Sequence, residues 1–404
     1  MKTPPPTSGS DGELRFICQE HLCTLSCIYD LTARYRACFM VSRELDQSFR
    51  RDEVTKEKLK LGVIGCGRIA QAAHFPAVQK ATNVELAAVF DPSALLAKGA
   101  GLQLGVPSYT DQQEFLNADI DAVLIAIPDR FHVPVSITAL QAGKHVLVEK
   151  PVAGTASEAE TLIEVLDKTG LQLQVGSMKR FDPGIARAQS VIADGGIGRI
   201  LSARCWYRVM SELRPPIEAT QFPAMLVDQD VRNRETALKA ANRKTHLLAT
   251  HGIHTFDLMR FLLGDITISA ATMAVDGVDH SWHGIATTEA GAAASFEITA
   301  SVHAEWTEGF QIYGSKGHIG AEIPFPFSRA ASRVRIFRAE SSSYEEPIFG
   351  DTDAYKLQVE AFASAILEGR YVQPDARSGL KALEIVEAVN SLTAREESNN
   401  RKTA

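Results

Sequence analysis

The chain has 404 residues, more than one hydrophobic core usually holds, so two domains and a sizeable core are expected. Its residues are 45% hydrophobic and 23% charged, as in a globular protein, and its net charge of -7 argues against a general binder of nucleic acid or anionic membranes. No uninterrupted apolar run is long enough to span a bilayer, so no membrane association is expected, and the longest runs have the length of buried strands.

Met1 to Gly12 is rich in proline, threonine, serine and glycine and lacks the basic start and apolar centre of a secretion signal, which makes a cytoplasmic location the default expectation. Cys18, Cys23, Cys27 and Cys38 crowd into the leader together with His21. Their spacing lacks paired Cys-x-x-Cys units, so a zinc knuckle ranks below a leader that adds nothing to the fold, and no metal is expected. Met40 is an alternative start, followed by the charged stretch Arg43 to Lys60. Residues 1–58 are read as a poorly ordered leader. Cys66 and Cys205 give no disulfide signal.

The apolar run from Leu61 leads into Gly65-Cys66-Gly67-Arg68-Ile69-Ala70, which reads as a dinucleotide clamp. Gly65 allows a tight turn, Gly67 lets the backbone approach a pyrophosphate, and Ala70 permits close packing of a helix whose N-terminus faces the phosphates. The next apolar run, Val84 to Phe90, delivers Asp91, placed to accept both ribose hydroxyls of adenosine. A carboxylate there repels a 2'-phosphate, which favours NAD over NADP unless an arginine compensates. The competing reading is that Asp91 and Pro92 cap a helix starting near Ser93.

Helices are predicted over Ser93 to Leu104, Val133 to Ala142 and Ser157 to Thr169, alternating with strands at Ala122 to Ile127, His145 to Val148 and Leu171 to Val175. Strands separated by such helices imply a doubly wound parallel sheet whose ligands bind beyond the strand C-termini. From about Ile197 the pattern shifts to longer alternating runs, Leu201 to Val209, Ile268 to Val275, His283 to Glu289, Ala292 to Ala300 and Phe310 to Tyr313, as in a mostly antiparallel sheet. Glu212 to Leu248 interrupts them as a polar insertion, helical near Arg234 to Ala241, readable either as a solvated charged face or as a lid. Late helices are predicted at Tyr355 to Glu368 and Ser378 to Ala394.

The clamp, Ala126-Ile127-Pro128-Asp129 with His132, Gly143 to Pro151, Arg180-Phe181-Asp182-Pro183, and Gly252-Ile253-His254 followed by Phe256 to Gly264 occur in that order. Together they resemble the Gfo/Idh/MocA family of nicotinamide-dependent oxidoreductases, which includes glucose-fructose oxidoreductase, inositol 2-dehydrogenase and rhizopine-catabolism dehydrogenases, from Lys60 to about Glu396. The resemblance implies an α/β chain: an NAD(P)-binding Rossmann domain over 59–178, a C-terminal α+β domain over 179–396 that binds substrate and oligomerises, and a tail over 397–404. It implies that Lys150 lies beside the nicotinamide and holds the substrate hydroxyl, and that His254 is the acid/base. Gly65, Cys66, Gly67, Arg68, Ile69, Asp91, Ile127, Pro128, His132, Glu149 and Lys150 are the implied cofactor contacts, with Arg180 and Thr250 beside Lys150 and His254 as substrate contacts.

Imidazole suits proton transfer near neutrality, and an ammonium stabilises alkoxide character on the hydroxyl. Thr250 departs from the family, whose members often carry an aspartate there, so His254 is expected to be less basic or to rely on another carboxylate such as Asp228 or Asp230. Read without the family, His254 is as well explained as a core histidine, and His251 with His254 as a metal pair ranks below catalysis. The expected activity is NAD-dependent hydride transfer at a ring hydroxyl of a sugar, inositol, amino sugar or related polyol. An NAD-dependent glycosidase using transient oxidation and a non-catalytic NAD sensor are the alternatives. A homodimer or homotetramer built sheet against sheet is implied as well.

Overall fold

A computed structural model of the chain describes residues 57–210, 224–302 and 306–403. The leader, with Cys18, His21, Cys23, Cys27, Cys38 and Met40, lies outside them, as does the start of the insertion. Residues 57–404 form one compact unit containing two sheets.

The first sheet comprises β1 (Leu59–Ile64), β2 (Val84–Phe90), β3 (Ser108–Tyr109), β4 (Ala122–Ile125), β5 (His145–Glu149) and β6 (Leu173–Gly176), all parallel, in the order β3-β2-β1-β4-β5-β6. All four residues of β4 are buried, as expected of a strand covered on both faces, which therefore reads as a continuous apolar run. The order reverses between β1 and β4, and the crevice beyond their C-terminal ends is where such sheets take ligands. Local signals end the helices as expected. Ser93 caps Ala94–Leu104 through its side chain, Thr155 and Glu158 form a reciprocal capping box on Ala156–Thr169, and Gly105 and Gly170 close the two helices in the left-handed conformation.

The second sheet comprises β7 (Ile200–Met210), β8 (Ile266–Asp276), β9 (Asp279–Thr288), β10 (Ala293–Val302), β11 (Thr307–Gly314), β12 (Gly317–Glu322), β13 (Arg333–Arg338) and β14 (Ser343–Glu345), in the order β14-β13-β12-β11-β7-β10-β9-β8. Every adjacent pair is antiparallel except β7 with β10. Strands β12 to β14 escape sequence reading because their apolar residues are few and interspersed with glycine or arginine, as in Arg333-Val334-Arg335-Ile336. Pairing rather than composition makes them strands.

Ala203, Cys205 and Tyr207 of β7, Phe296 and Ile298 of β10, and Phe310 and Ile312 of β11 face inward and are buried. The helix Ile253–Leu263 packs on this face and contributes the fully buried Phe256. Burying a side chain of that size contributes about 1.5–3 kcal/mol. Of the two late helices, Ala354–Leu367 covers the parallel sheet through Val359, Phe362 and Ala363, while Ala376–Thr403 runs along β8 and extends beyond the predicted end at Ala394. The insertion helix, predicted near Arg234, begins at Gln229, because the Asp228 side chain caps it.

Candidate active site at the junction of the two sheets

At the exit of β1, Gly65 has φ +95, and a Cβ there would lie 2.5 Å from the carbonyl oxygen of Ala126. Gly67 differs, because a Cβ at that position would meet nothing within 4 Å. No protein contact requires glycine at Gly67, so its open face fits an approaching dinucleotide pyrophosphate. The chain then turns directly into the helical segments Ala70–His74 and Phe75–Lys80. Asp91 ties this loop to β2, since its Oδ2 accepts the Cys66 N–H at 2.8 Å and its Oδ1 accepts the Ser93 N–H at 2.8 Å. The helix cap is Ser93, not Asp91. Burial pushes the Asp91 carboxyl up against those two hydrogen bonds, and the nearby charge of Asp228 adds to the rise. Cys66 contributes its N–H, while burial pushes its thiol far above the ordinary range and leaves it inert.

Ile127 and Pro128, half-buried, follow β4 along the crevice. His132 does not reach it. Its side chain is fully buried, with Nδ1 2.6 Å from the carbonyl oxygen of Pro151 and Nε2 2.9 Å from that of Ile127. His132 therefore ties together the two loops that line the crevice. Glu149 is engaged within the protein, with Oε1 2.8 Å from His74 Nε2 and Oε2 accepting the Lys150 N–H. Burial works to raise the Glu149 carboxyl, but the His74 hydrogen bond and the neighbouring charges of His74, Lys150 and His132 outweigh it and hold the group below its usual range.

Lys150, half-buried, leaves the end of β5 toward the second sheet. There Tyr207 of β7 and Glu308 of β11 stand opposite each other in register. The Tyr207 ring is the centre of a cluster of side chains here. His254 stacks on it with centroids 5.8 Å apart at 12°, His251 lies at 5.5 Å, Trp306 meets it edge-on at 5.1 Å, and Lys179 Nζ sits 4.6 Å from its centroid. Lys179 is paired with Glu308, both almost fully buried. Burial pulls the ammonium down and the carboxyl up, and each partner's charge opposes the other's shift. His254 is held well below the ordinary histidine range by burial first and then by the positive charges of Lys179, Lys150 and His251. Held this low, the imidazole is neutral at neutral pH and open to accept a proton, as a weaker base than an ordinary histidine.

The expected substrate contacts are placed less simply. Arg180 donates through Nε and Nη2 to both carboxylate oxygens of Asp257, at 2.9 and 2.7 Å, and to Ser378 Oγ. That fork ties Arg180 to the helix bearing His254. Thr250 lies in a π-helical turn, Leu248–Gly252, and its hydroxyl is 3.3 Å from His246 Nδ1. Asp228 does not compensate for the threonine at 250. Its carboxylate accepts the Ser93 hydroxyl at the opposite end of the cleft. Among the described residues no group of three His, Cys, Asp or Glu side chains is arranged to hold a metal ion.

Sequence reading missed Lys179, Glu308, Tyr207 and His74. Lys179 directly precedes Arg180, inside the recognised segment. For Glu308 the signal was parity: Glu308, Phe310 and Ile312 alternate onto one face, so a charge at 308 belongs among buried residues.

Residues 59–177 match the oxidoreductase family with an NAD-binding Rossmann fold, Gfo/Idh/MocA, and residues 185–320 match the GFO/IDH/MocA C-terminal domain. Inositol 2-dehydrogenase of Rhizobium meliloti is 28% identical over 345 residues, spanning 82% of this chain and 95% of the relative. D-xylose 1-dehydrogenase (NADP(+)) 2 of Haloferax volcanii is 26% identical, spanning 82% and 96%. Among solved structures, levoglucosan dehydrogenase in complex with NADH has a TM-score of 0.70 at 21% identity, covering 84% of this chain and 98% of that one. A 3-ketoreductase from Actinomadura kijaniata in complex with NADP has a TM-score of 0.66 at 23% identity, covering 83% and 98%. With its clamp, its parallel sheet in the order β3-β2-β1-β4-β5-β6 and both domains matched, the chain belongs to the Gfo/Idh/MocA family of NAD(P)-binding oxidoreductases.

Proposed function

We propose that the protein is an NAD-dependent dehydrogenase or reductase that interconverts a ring hydroxyl and a ketone on a sugar, inositol, amino sugar or related polyol. The observation that carries this reading is His254, kept neutral by burial and by two lysines at the end of a cleft whose other end carries Asp91. Bound NAD supplies a hydride acceptor at nicotinamide C4. Lys150 donates a hydrogen bond to the substrate oxygen and favours its alkoxide character, while His254 takes the hydroxyl proton as the C–H hydride leaves; in reduction the imidazolium returns it.

The test is the nicotinamide absorbance change with purified protein, NAD or NADP, and a panel of inositols, aldoses, amino sugars and glycosides, with Lys150→Ala as control. Turnover with NAD that vanishes in the variant supports the reading. NAD binding without net reduction but with glycoside cleavage favours the glycosidase alternative, and binding without any turnover favours the sensor.

Self-association belongs to the same proposal. The outer face of the second sheet carries a groove of about 930 Å³ lined by Trp206, Tyr313, Arg335 and Tyr344, with Tyr313 46% and Tyr344 51% exposed. Aromatic and arginine side chains of this kind are enriched in interfaces, which supports a sheet-to-sheet dimer or a tetramer built from it. Cytoplasmic action fits the buried free thiols Cys66 and Cys205.

A further inference from the structure

Gln71, just after the Gly-rich loop, makes three hydrogen bonds with its side-chain amide. Its Nε2 donates to the Cys66 carbonyl at 2.8 Å and to the Leu226 carbonyl at 3.0 Å, while its Oε1 accepts the Leu226 N–H at 2.8 Å. The amide therefore pairs both backbone groups of one insertion residue to the clamp. The Leu226 side chain occupies the space above Gly99, where a Cβ would lie 2.4 Å from its Cδ1. Two residues on, Asp228 Oδ2 accepts the Ser93 hydroxyl at 2.6 Å, while Oδ1 caps the helix Gln229–Ala241. Ser93 also gives its N–H to Asp91, so the two carboxylates flank one serine.

Further along the same helix, Glu235 accepts from both Nη1 and Nη2 of Arg130, in the loop after β4. Glu235 lies seven positions after Asp228, about 10 Å along the helix at 1.5 Å per residue. The helix is thus anchored on both sides of the place where a dinucleotide bound at Gly67 and Asp91 would lay its adenosine.

We infer that Ala224 to Ala241 is a strap across the adenosine half of the cofactor cleft, and that Asp228 is a specificity-determining residue adding a second negative charge against a 2'-phosphate. This rests on the dehydrogenase reading only in placing a nicotinamide dinucleotide in the cleft. The charged side chains tied to this end of the cleft include Asp91, Asp228 and Glu235, with Arg130 and Arg234 beside the last two carboxylates. Arg130 is committed to Glu235, and Arg234 lies near enough to Asp228 and Glu235 to favour their ionised forms. Arg130 and Arg234 are thereby offset within the protein, and the ribose position faces Asp91 and Asp228.

The test is the dissociation constant of NADH and of NADPH, measured by nucleotide fluorescence on the full chain without substrate. Asp228→Asn keeps the shape and the helix cap, because asparagine caps as well as aspartate. Removing one charge several ångströms from a phosphate dianion is expected to tighten NADPH about tenfold and leave NADH within about twofold. Ser93→Ala, which releases Asp228 from its anchor, is expected to shift the ratio the same way and serves if the asparagine variant misfolds. Wild-type protein that binds NADPH as tightly as NADH overturns the inference, as does a ratio unmoved in both variants. Failure to bind either nucleotide overturns this inference together with the dehydrogenase reading, whereas NADH binding without turnover of any substrate sinks that reading and leaves this one standing.

Discussion

Glu308→Gln tests whether the buried ion pair beneath Tyr207 is the charge balance of the reacting end. The side chains of Lys179 and Glu308 are 5% and 1% exposed, so bulk water screens neither charge. Glutamine keeps the volume of Glu308 but leaves the ammonium without its paired carboxylate and with only the weaker influence of Asp257, and breaking a buried pair in this way costs about 3–5 kcal/mol. Lys179 keeps its contact with the Tyr207 ring, a desolvated cation–π interaction of about 2 kcal/mol, which limits the loss to the lower part of that range, about 3 kcal/mol. Burial already lowers Lys179, and removing Glu308 removes the main influence opposing it. Over the alkaline range the unfolded variant therefore holds a proton that the folded variant has released. Stability must then rise with pH, by about 1.4 kcal/mol per unit for one proton. Urea unfolding at pH 7 and pH 9.5 should show the variant's deficit shrinking at the higher pH. A deficit under about 1 kcal/mol at pH 7, or one that does not change with pH, would refute the charge-balance argument.

Gly67→Ala should leave stability within about 0.5 kcal/mol, since nothing surrounds the added methyl, yet weaken NADH binding at least about tenfold; unaltered affinity in a nucleotide titration would remove the pyrophosphate from that loop. If His254 is the base, kcat/KM for oxidation falls only as pH drops through its lowered pKa, so the acid limb lies below the ordinary histidine value of about 6.5. Lys179→Met removes a positive neighbour and should move that limb upward, and a limb that stays put assigns it to another group. Arg180→Ala strands the buried Asp257 carboxylate and should cost about 3 kcal/mol in urea unfolding with KM little changed. A raised KM at unchanged stability would return Arg180 to the substrate.

Features carried by short contiguous stretches were legible in the sequence: the clamp at Gly65 and Gly67, the parallel strands, and the carboxylate ending β2. Each is fixed by local geometry, a turn or a run of fixed period, which one segment can display. The reacting end was only half legible, because it is assembled by register. Glu308 faces Tyr207 only through the pairing of β11 with β7, two strands far apart in the chain. Thr250 shows the same limit within a helix. Four residues before His254, it would lie one α-helical turn away, but the π-helical turn Leu248–Gly252 alters that spacing and the hydroxyl turns back to His246. For Asp228, the sequence could offer a carboxylate in an insertion but not which end of the cleft it reaches. That is decided by Gln71 and Ser93, more than 130 positions away.

Lys150 gains its direction from the residue before it. Lys150 directly follows the last residue of β5, and its backbone N–H donates to Oε2 of Glu149, so anchoring the Glu149 carboxylate fixes the backbone from which Lys150 departs. The anchor is His74, which lies on the helical turn that begins at Ala70, directly after the clamp glycines. Tyr355, from the late helix Ala354–Leu367, closes the contact with its ring edge-on to His74, centroids 5.4 Å apart. The loop suited to the pyrophosphate and the strand that presents the ammonium are therefore joined by one buried hydrogen bond between His74 and Glu149. That bond fixes the backbone at the exit of β5; a donor placed before the reaction accelerates it rather than only binding substrate, and under the proposed mechanism Lys150 is that donor.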